Sequence, residues 1–407
     1  MGSTFLWFFR HKDFSKLWLS QISSQVAANM LTFALILHIY DLTKSLTTIS
    51  LVMIASAIPS VILGPFSGVV TDKFRYKNVL IYTLILRFFV VLLLIPAAHN
   101  TLAILEIIFI MSAIGQFFAP AELSTIPLII PKERLVGANS IYMTTMYGAL
   151  IVGYGLAGPL QVVFGSKVLF LLIAFLFALA AISVFSMSNF DKKIVSQIDI
   201  LKIATRIKNV WAATKIGIKY ITKTKGVVLP MIKLAAGWAM LGAFIVVMPG
   251  FAEDSLGVSA KLAGPLLIVP AGFGMLISAY YLNKYKNINK SATINSSFVI
   301  SGISLLVLSI YSYIGFSTVL ILVAVSLMII MGFSAANVYI SSQTILHINT
   351  ESDMRGRVFG VSSMLINLAL SLPALFVGGI ADLTSPVFTM ILVSVVVIIY
   401  GSSLFFE

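Results

Sequence analysis

Twelve apolar stretches of bilayer-spanning length occupy most of this chain, at 17–40, 46–70, 78–97, 102–128, 135–162, 167–187, 227–248, 260–282, 292–314, 318–346, 358–380 and 386–406. A membrane helix needs roughly 20 mostly apolar residues. Inside lipid every backbone polar group must be satisfied within its own segment, so a run of such stretches is confined to an all-α integral membrane bundle. Composition agrees, with 59% of residues hydrophobic and 10% charged. The first stretch is too long for a signal-peptide core and has no convincing small-residue cleavage site, so it is expected to remain as the first span.

The cations set the expected topology. Of the 27 lysines and arginines, Lys44, Lys167 and Lys261 fall in one set of alternate gaps, and Arg87 and Lys233 fall within helices. All the others lie in the opposite set of gaps or in the N-terminal segment. Cytoplasmic loops attract lysine and arginine, so both termini are expected in the cytoplasm. The formal net charge of +13 is then a topology signal, and no nucleic-acid surface is expected, since that needs cations clustered on one soluble face. Cysteine is absent, which excludes disulfides, thiolate catalysis and thiolate metal sites.

The longest polar interval splits the chain into an N-terminal six-helix half (1–187), a linker (188–226) and a C-terminal six-helix half (227–407). Within the linker, Ile200, Ile203, Ile207, Val210, Trp211, Ile218 and Ile221 recur at helical spacing among lysines. A basic amphipathic helix of this kind is expected to lie against lipid headgroups and tether the halves, although a partner-binding helix has the same pattern. A short internal repeat supports two halves. Asp72-Lys73-Phe74-Arg75 begins 13 positions after Pro59, and Asn283-Lys284-Tyr285-Lys286 begins 13 positions after Pro270. Parallel halves of this sort are a known transporter plan, with the substrate site between them.

Two segments carry a family resemblance. The loop Gly68-Val69-Val70-Thr71-Asp72-Lys73-Phe74-Arg75-Tyr76-Lys77 resembles the G-x-x-x-D-R/K-x-G-x-R/K signature of the major facilitator superfamily, with Arg75 in place of the second glycine. The run Phe118-Ala119-Pro120-Ala121-Glu122, continuing through Ile126–Leu135 to Ala138-Asn139-Ser140, is similar to the third drug–proton antiporter family, which includes macrolide and enterobactin exporters. The segments Phe14–Gln21, Leu42–Ser45 and Arg355–Val358 also fit. Two features depart from that branch: Ala27-Ala28 stands where it often has Gly-Asp, and Gly153, Gly155, Gly158 and Pro159 only approximate its antiporter motif.

The resemblance implies a twelve-helix major facilitator fold and a cytoplasmic gate built from Gly68, Asp72, Lys73 and Lys77. It also implies a cavity lined by helices one, four, seven and ten, for which Gln25, Asn29, Phe117, Trp238, Asn337 and Gln343 are candidates. Each of these could equally be helix-packing glue. Charges inside a bilayer are costly and turn toward protein or water. Arg87 and Glu122 lie about 13 Å and about 9 Å from the same end of their helices at helical rise, so a buried ion pair is expected. The sharper reading makes Glu122 a proton site. Glu106 and Lys233, near helix ends, are expected to snorkel to water.

No phosphate-binding loop, metal-ligand spacing or nucleophile elbow is present in the sequence. The expectation is therefore not an enzyme and requires no cofactor. It is a secondary transporter in the cell membrane, expected to be monomeric, exporting amphipathic small molecules such as drugs, macrolides or siderophores in exchange for protons. A lipid or lysolipid flippase on the same fold is the alternative, and a non-transporting membrane sensor or interaction protein is the alternative from another class.

Overall fold

The computed structural model describes residues 7–8, 10–189, 200–285, 288–314 and 318–405, with the side chains of 200–209, 314 and 318 excepted. Among the described residues, eleven helices are long and apolar enough to cross a membrane. The first four are α1 (Lys12–Thr43), α2 (Leu46–Thr71), α3 (Tyr76–Ala97) and α4 (Thr101–Ile129). The next is a 51-residue helix, Leu135–Phe185, interrupted at Gly165, whose φ of 76° and ψ of 165° are non-helical. At 1.5 Å per residue a straight helix of that length would be roughly 75 Å long, far beyond a hydrocarbon core of about 30 Å. Gly165 supplies the positive φ that breaks the helix, and the two arms, α5 (135–164) and α6 (166–185), match the two spans expected from sequence. Across the bend the Gln161 side-chain amide donates to Ser166 Oγ at 2.9 Å.

Helix α7 (Ile200–Lys223) is followed by α8 (Lys225–Asp254). A short π-helical turn, Gly264–Ile268, then leads into α9 (Val269–Lys284). The rest of the chain forms α10 (Lys290–Tyr311), α11 (Thr318–Asn349), α12 (Arg355–Leu383) and α13 (Pro386–Ser403). Helix starts follow the residues that can cap them. Asn100 accepts from the Ala103 amide at 3.2 Å, Asn289 from the Ser291 and Ala292 amides, and Ser385, just before a proline, from the Phe388 amide. Large apolar side chains such as Phe185, Phe376 and Val136 stay exposed, the pattern of a bundle whose solvent is lipid.

The chain forms two compact units. One comprises Met1–Leu35 and Ala55–Trp211; the other comprises Ile36–Ile54 and Ala212–Glu407. In the first, α3 packs on α4 and on the Leu135–Phe185 helix. In the second, α9 packs on α11, α10 on α11 and α13, and α8 on α12. The α9–α11 seam is glycine-lined on both sides. A Cβ at Gly274 would strike the Ile329 carbonyl and one at Gly332 the Ala271 carbonyl, so each backbone sits where a side chain would otherwise be.

Candidate functional site

Among the described residues of the first unit, a glutamate and an arginine lie deep in the apolar helices. Glu122 on α4 is fully buried. Tyr142 on α5 donates its hydroxyl to Glu122 Oε2 at 2.7 Å, while Oε1 has no hydrogen-bond partner. The tyrosine is itself held from α1. Gln21 donates to the Tyr142 carbonyl at 2.9 Å, and Trp18 donates to Thr145 Oγ1 at 2.8 Å. The carboxyl group therefore sits at the end of a relay of packed, hydrogen-bonded helices.

Arg87 on α3 is the nearby counter-charge, and the two groups interact electrostatically. They are near enough to interact, but no direct ion pair joins them. The guanidinium lies over the rings of Phe118 and Phe177, at 5.3 and 5.7 Å, in cation–π range. Its Nε is buried without a hydrogen-bond partner. Gly115 makes this placement possible, because a Cβ there would collide with the guanidinium. Spacing along α3 and α4 cannot reveal which way a long side chain turns, and the aromatic rings take the place of the carboxylate. Tyr142 and Phe177 escape sequence reading because an aromatic residue in an apolar helix looks like any other. Phe118 lies inside the recognised motif.

The candidate gate motif follows α2. Asp72 is exposed and accepts from the Tyr76 hydroxyl at 2.6 Å. Lys77 donates to the Met187 carbonyl at 2.5 Å, fastening the start of α3 to the end of α6. Lys73 and Gly68 are half-buried, and a Cβ at Gly68 would meet open space.

The cavity candidates divide between the units. In the first, Asn29 donates to the Gln25 carbonyl one turn back at 2.9 Å, and Phe117 is half-buried on α4. In the second, Trp238 meets Tyr339 edge-on and has a buried Nε1 without a partner. Gln343 is half-buried on α11. Asn337 is buried and accepts from Ser278 Oγ at 2.7 Å, so it joins α11 to α9. Lys233, expected to reach water, is instead buried, with its Nζ 3.0 Å from Asn295 Oδ1; Asn295 in turn donates to the Leu404 carbonyl. Exposed Glu106 stands near the start of α4, as expected. Among the described residues no cluster of three or more histidines or carboxylates could hold a metal.

A buried, unevenly bonded carboxyl thus lies in a bundle of long apolar helices, and residues 17–374 match the family model of the Major Facilitator Superfamily. The chain belongs to that superfamily and is a multi-pass membrane transporter, not an enzyme. It is 25% identical over 352 residues to the putative bacilysin exporter BacE of Bacillus subtilis, covering 85% of this chain and 82% of that protein. It is 23% identical to macrolide efflux protein A of Streptococcus pyogenes, over 91% and 89% of the two chains. Among solved structures, a bacterial homolog of the human lysosomal transporter Spinster, inward-facing and unoccupied, aligns with a TM-score of 0.76 at 12% identity, covering 97% and 96% of the chains. The nucleoside transporter NupG aligns with a TM-score of 0.70 at 14% identity, over 96% and 98%. At these identities the solved structures speak for the fold alone.

Proposed function

We propose that this transporter exports amphipathic small molecules across the cell membrane in exchange for protons, by alternating access, with Glu122 carrying the exchanged proton. The carrying observation is Glu122 itself, fully buried with one oxygen on Tyr142 and the other unpartnered. A charge sealed in such surroundings is expensive unless directly paired. This geometry suits a group that holds a proton while enclosed and exchanges it when the helices open. Arg87, parked on aromatic rings, balances the site without neutralising Glu122 in a contact pair, and Tyr142 aims the carboxyl. Export of small molecules is favoured by the exporter and efflux relatives.

The remaining assignments follow from the charge pattern. Both termini and the basic linker face the cytoplasm, and α7 rests on anionic headgroups. Trp211 on that helix stacks near Phe66 of α2 at 5.7 Å; Lys192, Lys193, Lys202, Arg206 and Lys208 lie outside the described side chains. Asp72, Lys73 and Lys77 control the cytoplasmic gate.

Inverted vesicles supplied externally with a fluorescent amphipathic dye test the reading. Gradient-driven uptake that disappears in Glu122→Gln is the expected result. Uptake that persists after the gradient is collapsed would remove proton coupling and favour lipid or lysolipid flipping instead.

A further inference from the structure

The chain ahead of α1 packs against the start of α5, within the first unit. Phe8 lies outside every apolar span, yet it is only 2% exposed. Its ring packs on Phe14 at 5.2 Å, and its carbonyl accepts from Ser15 Oγ at 3.3 Å. His11 caps α1, its Nδ1 accepting from the Phe14 amide at 3.4 Å, while its own amide donates to the Trp7 carbonyl at 3.1 Å. Trp7 stands edge-on to Phe8. The face of its ring takes the Arg134 guanidinium at 4.0 Å, a cation–π contact with the residue just before α5.

The seat for Phe8 on α5 is Gly137. A Cβ there would stand 2.9 Å from Phe8 Cζ and 3.0 Å from Phe8 Cε2, so the ring fills the space of an ordinary side chain. Gly137 precedes Tyr142 by roughly 7.5 Å along the helix, at 1.5 Å per residue. At and beyond Tyr142, Gln21 bonds the Tyr142 carbonyl and Trp18 bonds Thr145. Two attachments within one turn leave a helix free to tilt about them, and a third displaced along the axis removes that freedom. Losing Trp18 would still leave two well-separated attachments; losing Phe8 leaves two within one turn. Tilt matters because the Tyr142 hydroxyl must sit 2.7 Å from Glu122 Oε2, and a misplacement of about 1 Å can slow a reaction about a hundredfold.

We propose that Phe8 is a positioning residue for Glu122: lodged on Gly137 and backed by the Trp7–Arg134 contact, it clamps α5 at the tilt that keeps the Tyr142 hydroxyl on the carboxyl group. The positioning role rests on the reading of Glu122 as the proton carrier; the clamp itself does not. The clamp is also braced from behind. Asp13 Oδ1 accepts from the Ser188 amide at 2.9 Å, and Ser183 Oγ donates to the Lys16 carbonyl at 2.8 Å. The first turns of α1 are thus held to the end of α6 while the residues before them hold the start of α5.

Hydrogen–deuterium exchange of the full chain in detergent reads the clamp without substrate or gradient. Phe8→Ala should raise exchange over residues 135–142 about tenfold and leave α3 unaltered. Gly137→Ala should do the same by collision, although alanine is the better helix former. Adding Phe8→Leu, which lacks Cζ and Cε2, should restore slow exchange. Export in inverted vesicles then reads the role. Phe8→Ala should displace the pH profile in the same direction as Tyr142→Phe, and no further when the two are combined, as for groups acting through one bond. Unaltered exchange in both Phe8→Ala and Gly137→Ala would overturn the clamp. Raised exchange with an undisplaced profile would overturn the positioning role. Full gradient-driven export in Glu122→Gln would instead remove the proton reading, and the positioning role with it, while exchange still decides the clamp. If Phe8→Ala did not fold, Gly137→Ala with and without Phe8→Leu would decide alone.

Discussion

Glu122 and Asp382 are two carboxylates in opposite situations. Asp382 lies exposed at the rim and accepts three hydrogen bonds from the start of α2. Glu122 is sealed inside the first unit with one hydrogen bond and one empty oxygen. Charge is easy to hold at the first position and hard to hold at the second. The contrast separates two tasks: a satisfied carboxylate at the rim fastens helices, and an under-satisfied one in the interior is suited to changing its protonation.

The largest test of that separation is neutralising each acid in turn. Glu122→Gln should lower gradient-driven export by about a hundredfold, the order of effect for removing an acid–base group. Asp382→Asn should keep a proton-dependent rate, though an altered one. Equal loss of gradient dependence in both would erase the distinction.

Next in size is removal of the counter-charge. Arg87→Leu should cost about 2 kcal/mol in thermal unfolding, since it removes a desolvated cation–π contact with Phe118 and Phe177 and the counter-charge near Glu122, and adding Glu122→Gln should recover part of it. Stability that is unchanged in the single variant would mean Arg87 balances nothing.

Tyr142→Phe keeps the ring and removes the one donor to Glu122. A hydrogen bond to an ionised acceptor contributes roughly 1.5–3 kcal/mol, enough to displace the pH profile of export by about one unit. Trp18→Phe, which loosens α5 a turn away, should change rate without displacing the profile. The smallest effect belongs to the rim. A double-mutant cycle of Lys44→Ala and Glu253→Ala on stability should give a coupling below about 1 kcal/mol, fading with salt. A coupling several times larger would place the rim pair closer in character to the buried site.

Much of this was legible in the residues. Apolar runs located the spans, including the pair that shares one long helix bent at Gly165, because Gly165-Ser166-Lys167 interrupts the apolar pattern there. Glu122 stood out as an acid in an apolar helix within a recognisable motif. Its hydrogen-bond partner did not, since Tyr142 is one of 14 tyrosines and only the three-dimensional register of α4 against α5 selects it. Arg87 and Glu122 interact electrostatically, but rotamer direction, invisible to spacing, turned the guanidinium onto Phe118 and Phe177. Lys233 misled for a related reason: a lysine near a helix start ordinarily reaches water, and here an asparagine on α10 takes its head group. Asp382 had one local clue, an acid at the wrong end of its helix, with nothing nearby to name α2 as the beneficiary.

Helices α1 and α2 are not alike mechanically. Helix α1 runs from Lys12 to Thr43 without a glycine or a proline, and its residues divide between both compact units at Leu35 and Ile36. Helix α2 crosses back at Ile54 and Ala55, then carries Pro59, Gly64 and Pro65, which soften the backbone ladder. An unbroken α1 holds Trp18 and Gln21 in register with Thr145 and Tyr142, while α2 has three places at which its backbone can yield.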